Sequence, residues 1–149
     1  MQQLDLNPRS KFRDNVFIGY SHDFQDEDGV AVLSIPAHNP QDSIMSYKDA
    51  THYRFFSAFG YFDLTTMLGE AAYGYSPNLP LNAQSNAAQQ VTATLDVSEV
   101  DLTNSIRFML IGVEFYKQES TGFYILRNGM YNALQVLDVK TPDVPATTP

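Results

Sequence analysis

The stretch SIRFMLIGVEFYKQESTGFYILRNGMYNALQVLDV, residues Ser105 to Val139, decides the fold of this chain. Apolar residues alternate with other residues in its first part, and a second apolar run begins at Phe123 after the polar segment Lys117 to Gly122. A hydrophobic period near two indicates β-strands. Asn128-Gly129 is a dipeptide that two-residue type I′ turns prefer, because both central residues need positive φ. The stretch therefore predicts three consecutive strands joined by two tight connections.

Segments with strand character continue on the N-terminal side of this stretch. Asp26 to Gly29 predicts a tight hairpin turn, because glycine tolerates positive φ. Gly60, inside a long aromatic run, indicates a β-bulge. A helical turn is expected after Asn39-Pro40. The predicted strands are Val16 to Phe24, Val30 to Ile35, Thr51 to Leu64 and Gln90 to Val97.

The segment Thr65 to Tyr75 is ambiguous. Its Met, Leu, Glu and Ala residues favour a helix, whereas its two glycines and two tyrosines favour a short strand. A strand is preferred, because a hairpin return is the shorter connection between neighbouring strands.

Length and composition bound the fold. The chain has 149 residues, which suits one domain, and its ten Phe and nine Tyr are residues that fit a pleated sheet. We predict an all-β fold, a single antiparallel β-sandwich of about seven or eight strands with an immunoglobulin-like architecture. Residues 1–14 are expected to form an N-terminal arm or edge strand, residues 15–139 the β-sandwich domain, and residues 140–149 a flexible Pro-rich tail.

The charge and composition exclude several functions. The net charge is -8 with only nine Lys and Arg, so nucleic-acid binding is not expected. The absence of cysteine excludes disulfides and thiolate chemistry. The sequence contains no run of eighteen apolar residues, so no membrane span is predicted. Its first residues lack the apolar core of a secretory signal. The localisation is left open.

No pattern in the sequence predicts catalysis or a cofactor. Asp26 and Asp28 belong to the densest carboxylate cluster and are the only weak metal candidates, but the pattern of a calcium loop fails, so a solvated hairpin tip is the better interpretation. The three histidines lack metal-ligand spacing. No nucleophile motif or phosphate loop occurs. Glu114 is the one acid that could be considered for catalysis, but a cross-strand ion pair is the simpler interpretation. We therefore predict a protein that is not an enzyme.

The tyrosines indicate a binding surface. Tyrosine provides large, stiff, amphipathic contact area, which suits protein interfaces and stacking on sugars. The candidate binding residues are Tyr73, Tyr75, Tyr116 and Tyr131, of which Tyr73 and Tyr75 are the strongest.

Three segments carry a resemblance to a protein family. ATHYRFFSAFGYFDL (Ala50 to Leu64) and IGVEFYKQESTGFYILRNGMYNALQVLDV (Ile111 to Val139) resemble the C-terminal β-domain of an uncharacterised family of Bacteroidota proteins, in which ATHY, GVEFYQ and LKNGAFNAL segments recur in this order. LSIPAHNP (Leu33 to Pro40) is similar to the family's approach to its ATHY strand. Family members are longer, with a basic segment ahead of the β-domain. The resemblance implies a bacterial β-domain, on the cell surface or outside the cell if a signal has been removed, and implies no activity.

The sequence therefore predicts a non-catalytic interaction or assembly module, whose partner is another protein or a second copy of the chain. A carbohydrate-binding module that uses exposed tyrosines is the alternative. An enzyme is a third possibility, which would need a pocket with converging acids or histidines.

Overall fold

The structure, a computed structural model, describes residues 4–142. The first three residues and residues 143–149, which make up most of the predicted tail, lie outside this range. The elements are β1 Leu4–Asp5, α1 Phe12–Asn15, β2 Ser21–Gln25, β3 Val30–Ile35, α2 Pro40–Ser43, β4 His52–Asp63, β5 Leu68–Tyr75, β6 Leu79–Pro80, β7 Gln89–Thr94, β8 Ser105–Glu119, β9 Gly122–Ile125 and β10 Ala133–Lys140, with 3₁₀ turns at Leu102–Asn104 and Leu126–Gly129.

The strands form two antiparallel sheets. The large sheet has the order β1-β10-β8-β4-β5, with β6 paired to β4 and β9 paired to β8, and the small sheet has the order β2-β3-β7. The all-β antiparallel prediction is therefore confirmed. The immunoglobulin-like form of the sandwich stays a prediction.

The core lies between the two sheets. Alternate residues of β8, from Met109 to Phe115, are fully buried, as are Phe55 and Phe59 of β4. The small sheet contributes Leu33 and its neighbours from the other side. This alternation follows from the pleat, which turns successive side chains to opposite faces.

The two sheets approach each other closely where β7 packs against β5. A Cβ atom built on Gly74 would lie 2.0 Å from the carbonyl oxygen of Thr92. Only a residue without a side chain fits at this position, because the obstacle is backbone.

The strand and turn predictions upstream of β8 are largely confirmed. β3 has the predicted bounds, β4 lies within the predicted Thr51 to Leu64, and Gly29 ends the β2–β3 turn with φ 73°. The preference for a strand in the ambiguous segment is also confirmed, because Leu68–Tyr75 forms β5. A turn in which Met67 has φ 59° precedes this strand.

Two upstream predictions are wrong. The strand expected from Val16 starts only at Ser21, because Val16 forms an isolated bridge with Ile44 instead of joining the sheet. Gly60 is not a bulge: β4 keeps an unbroken register with β8, in which Gly60 lies opposite Phe108. A register shift occurs elsewhere, in β10 between Val136 and Asp138.

The predicted type I′ hairpin at Asn128-Gly129 is also wrong. Arg127, Asn128 and Gly129 all have positive φ, but the chain does not reverse there. β9 and β10 pair with the same edge of β8 and run in the same direction, with Ile125 opposite Tyr116 and Ala133 opposite Val113. β8 is long enough to pair with both strands, so residues 126–132 loop out between them.

Candidate binding surface

The side of the large sheet that faces away from the small sheet is mostly apolar, and we call it the outer face. The small sheet, α1 and the residue that follows α2 contribute buried side chains, among them Phe12 and Ile44, to the core on the opposite side. The register places these side chains on the outer face: Leu4 of β1; Leu134, Val136 and Val139 of β10; Ile106, Phe108 and Leu110 of β8; Phe56, Ala58 and Phe62 of β4; Ala71, Tyr73 and Tyr75 of β5.

Aromatic rings lie over glycines on the outer face. A Cβ on Gly60 would meet the ring of Phe108 at 2.3 Å, and one on Gly112 would meet the ring of Phe56 at 2.1 Å. In each case the aromatic residue is the direct cross-strand neighbour of the glycine. The rings therefore fill the space that a side chain would occupy, and the face has a low relief.

Exposure on the outer face is highest at its two edges. Leu4 is 58% exposed, Tyr73 54% and Tyr75 49%. Between these edges, Phe108, Leu110, Leu134 and Val136 are half-buried. A solvent-facing side of an antiparallel sheet normally carries polar residues in alternation with the core, so this apolar side is unusual for a surface.

The charged groups of the outer face are gathered at one end. Both Nε and Nη2 of Arg54 lie 3.0 Å from Oε2 of Glu114, its cross-strand partner. The Arg54 guanidinium also lies 4.0 Å from the centre of the Tyr75 ring and 5.2 Å from that of Tyr116. The expected cross-strand ion pair at Glu114 is therefore present, and it leaves no uncompensated charge there.

The four candidate tyrosines are divided by the fold. Tyr73 and Tyr75 are exposed neighbours with near-parallel rings, 17° apart at a centroid distance of 6.4 Å. Tyr116 lies with Tyr75 beside Arg54 but is only 7% exposed, so it offers little surface to a ligand. Its hydroxyl donates to Glu114, and burial, followed by this hydrogen bond, raises its pKa. Tyr131 lies elsewhere, half-buried and stacked on Tyr47 at 4.1 Å.

Asp26 is not part of a solvated hairpin tip, which corrects that interpretation. Its Oδ2 lies 2.5 Å from Nη1 of Arg107, and the two side chains are 20% and 8% exposed. The carboxylate is thus committed to a guanidinium on the large sheet, while Asp28 stays exposed. Within residues 4–142, no three His, Asp or Glu side chains converge on a point where they could hold a metal ion.

Sequence reasoning missed the outer face although a signal was present. Residues 106–111 are apolar at consecutive as well as alternate positions, apart from Arg107. Such a run is typical of a strand that is apolar on both sides. Ile106, Phe108 and Leu110 face outward, and the core-facing residues are Met109, Ile111, Val113 and Phe115.

An open cleft of about 570 Å³ lies at one end of the small sheet. Tyr20, Ser34, Ile35, Pro36 and Gln89 are among its lining residues, which include no carboxylate, imidazole or ammonium group. The lining offers no acid–base pair. Non-enzymatic function stays a prediction.

A polar cluster is buried beside the core. The Tyr53 hydroxyl is hydrogen-bonded to Nε2 of His38 and accepts a hydrogen bond of 2.8 Å from Nδ2 of Asn86. Nδ1 of His38 donates to the carbonyl oxygen of Pro36 at 2.9 Å, since a carbonyl can only accept. The Pro36 carbonyl therefore requires a hydrogen on Nδ1, and the cluster ties the loops around Pro36 and Asn86 to β4.

Replacing Tyr53 with phenylalanine is expected to lower the free energy of unfolding by about 1–3 kcal/mol, because Nε2 of His38 would lose its hydrogen-bond partner and the Asn86 amide would lose an acceptor. Urea denaturation measures the difference. Tyr73→Phe is the matched control, since the hydroxyl of this exposed tyrosine is solvated, and it should change stability by no more than about 0.5 kcal/mol. Equal effects of the two substitutions would contradict the role of the cluster.

The same cluster predicts a loss of stability at alkaline pH. Burial raises the pKa of Tyr53 to about 12, and the Asn86 hydrogen bond offsets part of this rise. The unfolded chain loses this proton near pH 10, before the folded chain does, so the contribution of Tyr53 is present below pH 10 and falls between pH 10 and 12. Tyr53→Phe should show a shallower fall in this window.

Comparison with protein-family models, curated proteins and solved structures found no match. The resemblance to the Bacteroidota family stays a prediction. In the described part of the chain, no helix combines the length and apolar character that crossing a bilayer requires.

Proposed function

We propose that this chain is a protein-interaction module that binds a partner protein through its outer face. The observation that carries the proposal is the composition of that face, in which apolar side chains of five neighbouring strands adjoin one another and, among residues 4–142, one ion pair lies at one end. Contiguous apolar patches of this kind mark interaction sites in soluble proteins.

The size of the outer face fits such a role. The five strands together have 45 residues, and at about 3.3 Å per residue and 4.8 Å between strands they cover roughly 700 Å². This area is close to the roughly 800 Å² that each partner contributes to a typical stable complex. An apolar patch on a monomer is commonly about 300–600 Å².

The chemistry of the face favours protein over nucleic acid. The chain carries a net charge of -8, and the one cation of the outer face described above, Arg54, is neutralised by Glu114. Nucleic-acid binding depends on basic groups that displace counterions. The resemblance to the Bacteroidota family supports a place in a bacterial protein or surface assembly.

Site-specific photo-crosslinking tests the proposal. A photoreactive phenylalanine analogue placed at Phe108, in the middle of the outer face, is expected to give a covalent protein adduct in the host cells of the protein. The same analogue at Thr92, which is exposed on the small sheet, is the matched control. Adducts at position 108 alone support the proposal, and mass spectrometry identifies the partner, including a second copy. Adducts at both positions or at neither overturn it.

Carbohydrate binding is the second candidate. The near-parallel, exposed rings of Tyr73 and Tyr75 favour it, because sugars stack on aromatic faces. The apolar neighbours Ala71 and Phe56 favour a protein partner instead. A glycan array distinguishes the two: binding that Tyr75→Ala abolishes, and that Tyr124→Ala on β9 leaves intact, would replace the proposed function.

A further inference from the structure

The edge strand β5 has one free side. Its other side pairs with β4, and no strand of residues 4–142 pairs with the free side. The Ser76 N–H donates to the Phe55 carbonyl at 2.9 Å, and Tyr75 lies opposite Phe56. Because antiparallel bonding alternates along a strand, the backbone N–H and C=O groups of residues 69, 71, 73 and 75 point to the free side.

This free edge lacks the usual protection. Natural sheets shield their edges with proline, lysine, bulges or covering segments. β5 has the sequence LGEAAYGY, with no proline and no basic residue, and it keeps a regular register with β4 throughout. Its single charged residue is Glu70, and most of its residues are exposed. The edge can therefore accept another strand.

We infer that the free edge of β5 pairs antiparallel with the same edge of a second copy of this chain, with Ala72 at the two-fold axis. In this register, Tyr75 lies opposite Gly69 of the copy and Tyr73 lies opposite Ala71. Each large residue faces a small one. The inference rests on the proposed function, since it names the partner for one edge of an interaction module.

The pairing of Tyr75 with glycine repeats an arrangement within this sheet. Phe108 covers its cross-strand neighbour Gly60, and Phe56 covers Gly112. Tyr75 over the copy's Gly69 would be a third instance on the same outer face, formed when the Tyr75 ring turns from Arg54 toward the copy. When two β5 strands pair antiparallel, each tyrosine on the outer face thus lies opposite a glycine or an alanine.

The charges of β5 permit this register. Glu70 lies opposite Gly74 of the copy, which has no side chain. The two Glu70 residues are then four positions apart along the joined strands, roughly 13 Å. That separation exceeds the screening length of about 8 Å at physiological ionic strength. Each chain carries a net charge of -8, so salt should strengthen the dimer.

Four hydrogen-bonded residue pairs would form, giving about eight backbone hydrogen bonds across the axis. The two large sheets would become one, and their outer faces would lie side by side. The dimer would therefore present an apolar surface about twice as wide as that of one chain.

A single introduced cysteine tests the register, because the described chain has no cysteine and none occurs elsewhere in the sequence. At the axis, two Ala72→Cys residues form a non-hydrogen-bonded pair with Cα atoms about 4.5 Å apart, within disulfide range. Ala71→Cys is the matched control. Its Cα lies roughly 8 Å from that of its counterpart, beyond the limit of about 7 Å.

In a glutathione redox buffer, we expect Ala72→Cys to form a disulfide dimer of twice the 16.7 kDa chain mass, at least about tenfold more than Ala71→Cys. Light scattering of the wild-type chain over a concentration series should show the same doubling without a disulfide. A wild-type mass that stays at one chain, or equal crosslinking of the two variants, overturns the inference. The photo-crosslinks at Phe108 are read independently, so failure of the β5 dimer and failure of the outer face are distinguishable.

Discussion

Replacing Asp26 with alanine is expected to lower the free energy of unfolding by about 3–5 kcal/mol, which is the usual cost of removing one partner from a buried ion pair. Arg107 would keep its charge at a site where its side chain is only 8% exposed. Its Nε is already buried without a hydrogen-bond partner. The guanidinium therefore depends on Asp26 for compensation.

Chemical denaturation of three variants resolves this effect. Asp28→Ala, in the same turn but exposed, should cost no more than about 0.5 kcal/mol. The double variant Asp26→Ala, Arg107→Met should recover part of the loss, because it leaves no unpaired charge. If Asp26→Ala were as mild as Asp28→Ala, the ion pair would not stabilise the fold.

Substitution of Gly74 by alanine should cost about 3 kcal/mol, at the upper end of the range for overpacking. The added Cβ would lie 2.0 Å from the Thr92 carbonyl oxygen and 2.6 Å from its carbon. Both contacts are backbone, so the two sheets would have to move apart. No change of side-chain rotamer can relieve the clash.

Two other glycines provide the comparison for Gly74. Gly19→Ala should be nearly neutral, because no heavy atom lies within 4 Å of the added Cβ. Gly60→Ala should fall between, since it displaces only the Phe108 ring, which is half-buried on the open outer face. Thermal unfolding ranks the three variants. A cost at Gly74 equal to that at Gly19 would show that the sheets do not meet as closely as described.

The sequence predicts local structure here better than it predicts surfaces. Alternation and turn residues located β3, β4 and the turn at Gly29, because these signals depend on neighbours in the chain. Asn128-Gly129 predicts a hairpin turn that does not form, because β8 is long enough to pair with both following strands. Periodicity identified β8 as a strand, but strands with two apolar sides do not show which side is the core.

The candidate site was predicted only in part. Tyr73 and Tyr75 were named from composition and prove to be exposed and adjacent. Arg54 and Glu114, which organise the charged end, come together through the register of β4 with β8. Asp26 and Arg107 are 81 positions apart, and no local pattern links them. Contacts between distant segments are decided by topology, which the sequence pattern left open.

The pairing of β1 with β10 has a consequence for the order of folding. Leu4 lies opposite Val136, and the Asn7 side chain donates to the Asn132 carbonyl, 125 positions away, at 2.8 Å. During synthesis, the first strand has no partner until nearly the whole described chain has left the ribosome. The loop closure required is long, and such non-local pairing slows folding. The amino-terminal segment is therefore expected to dock last, as the step that completes the sheet.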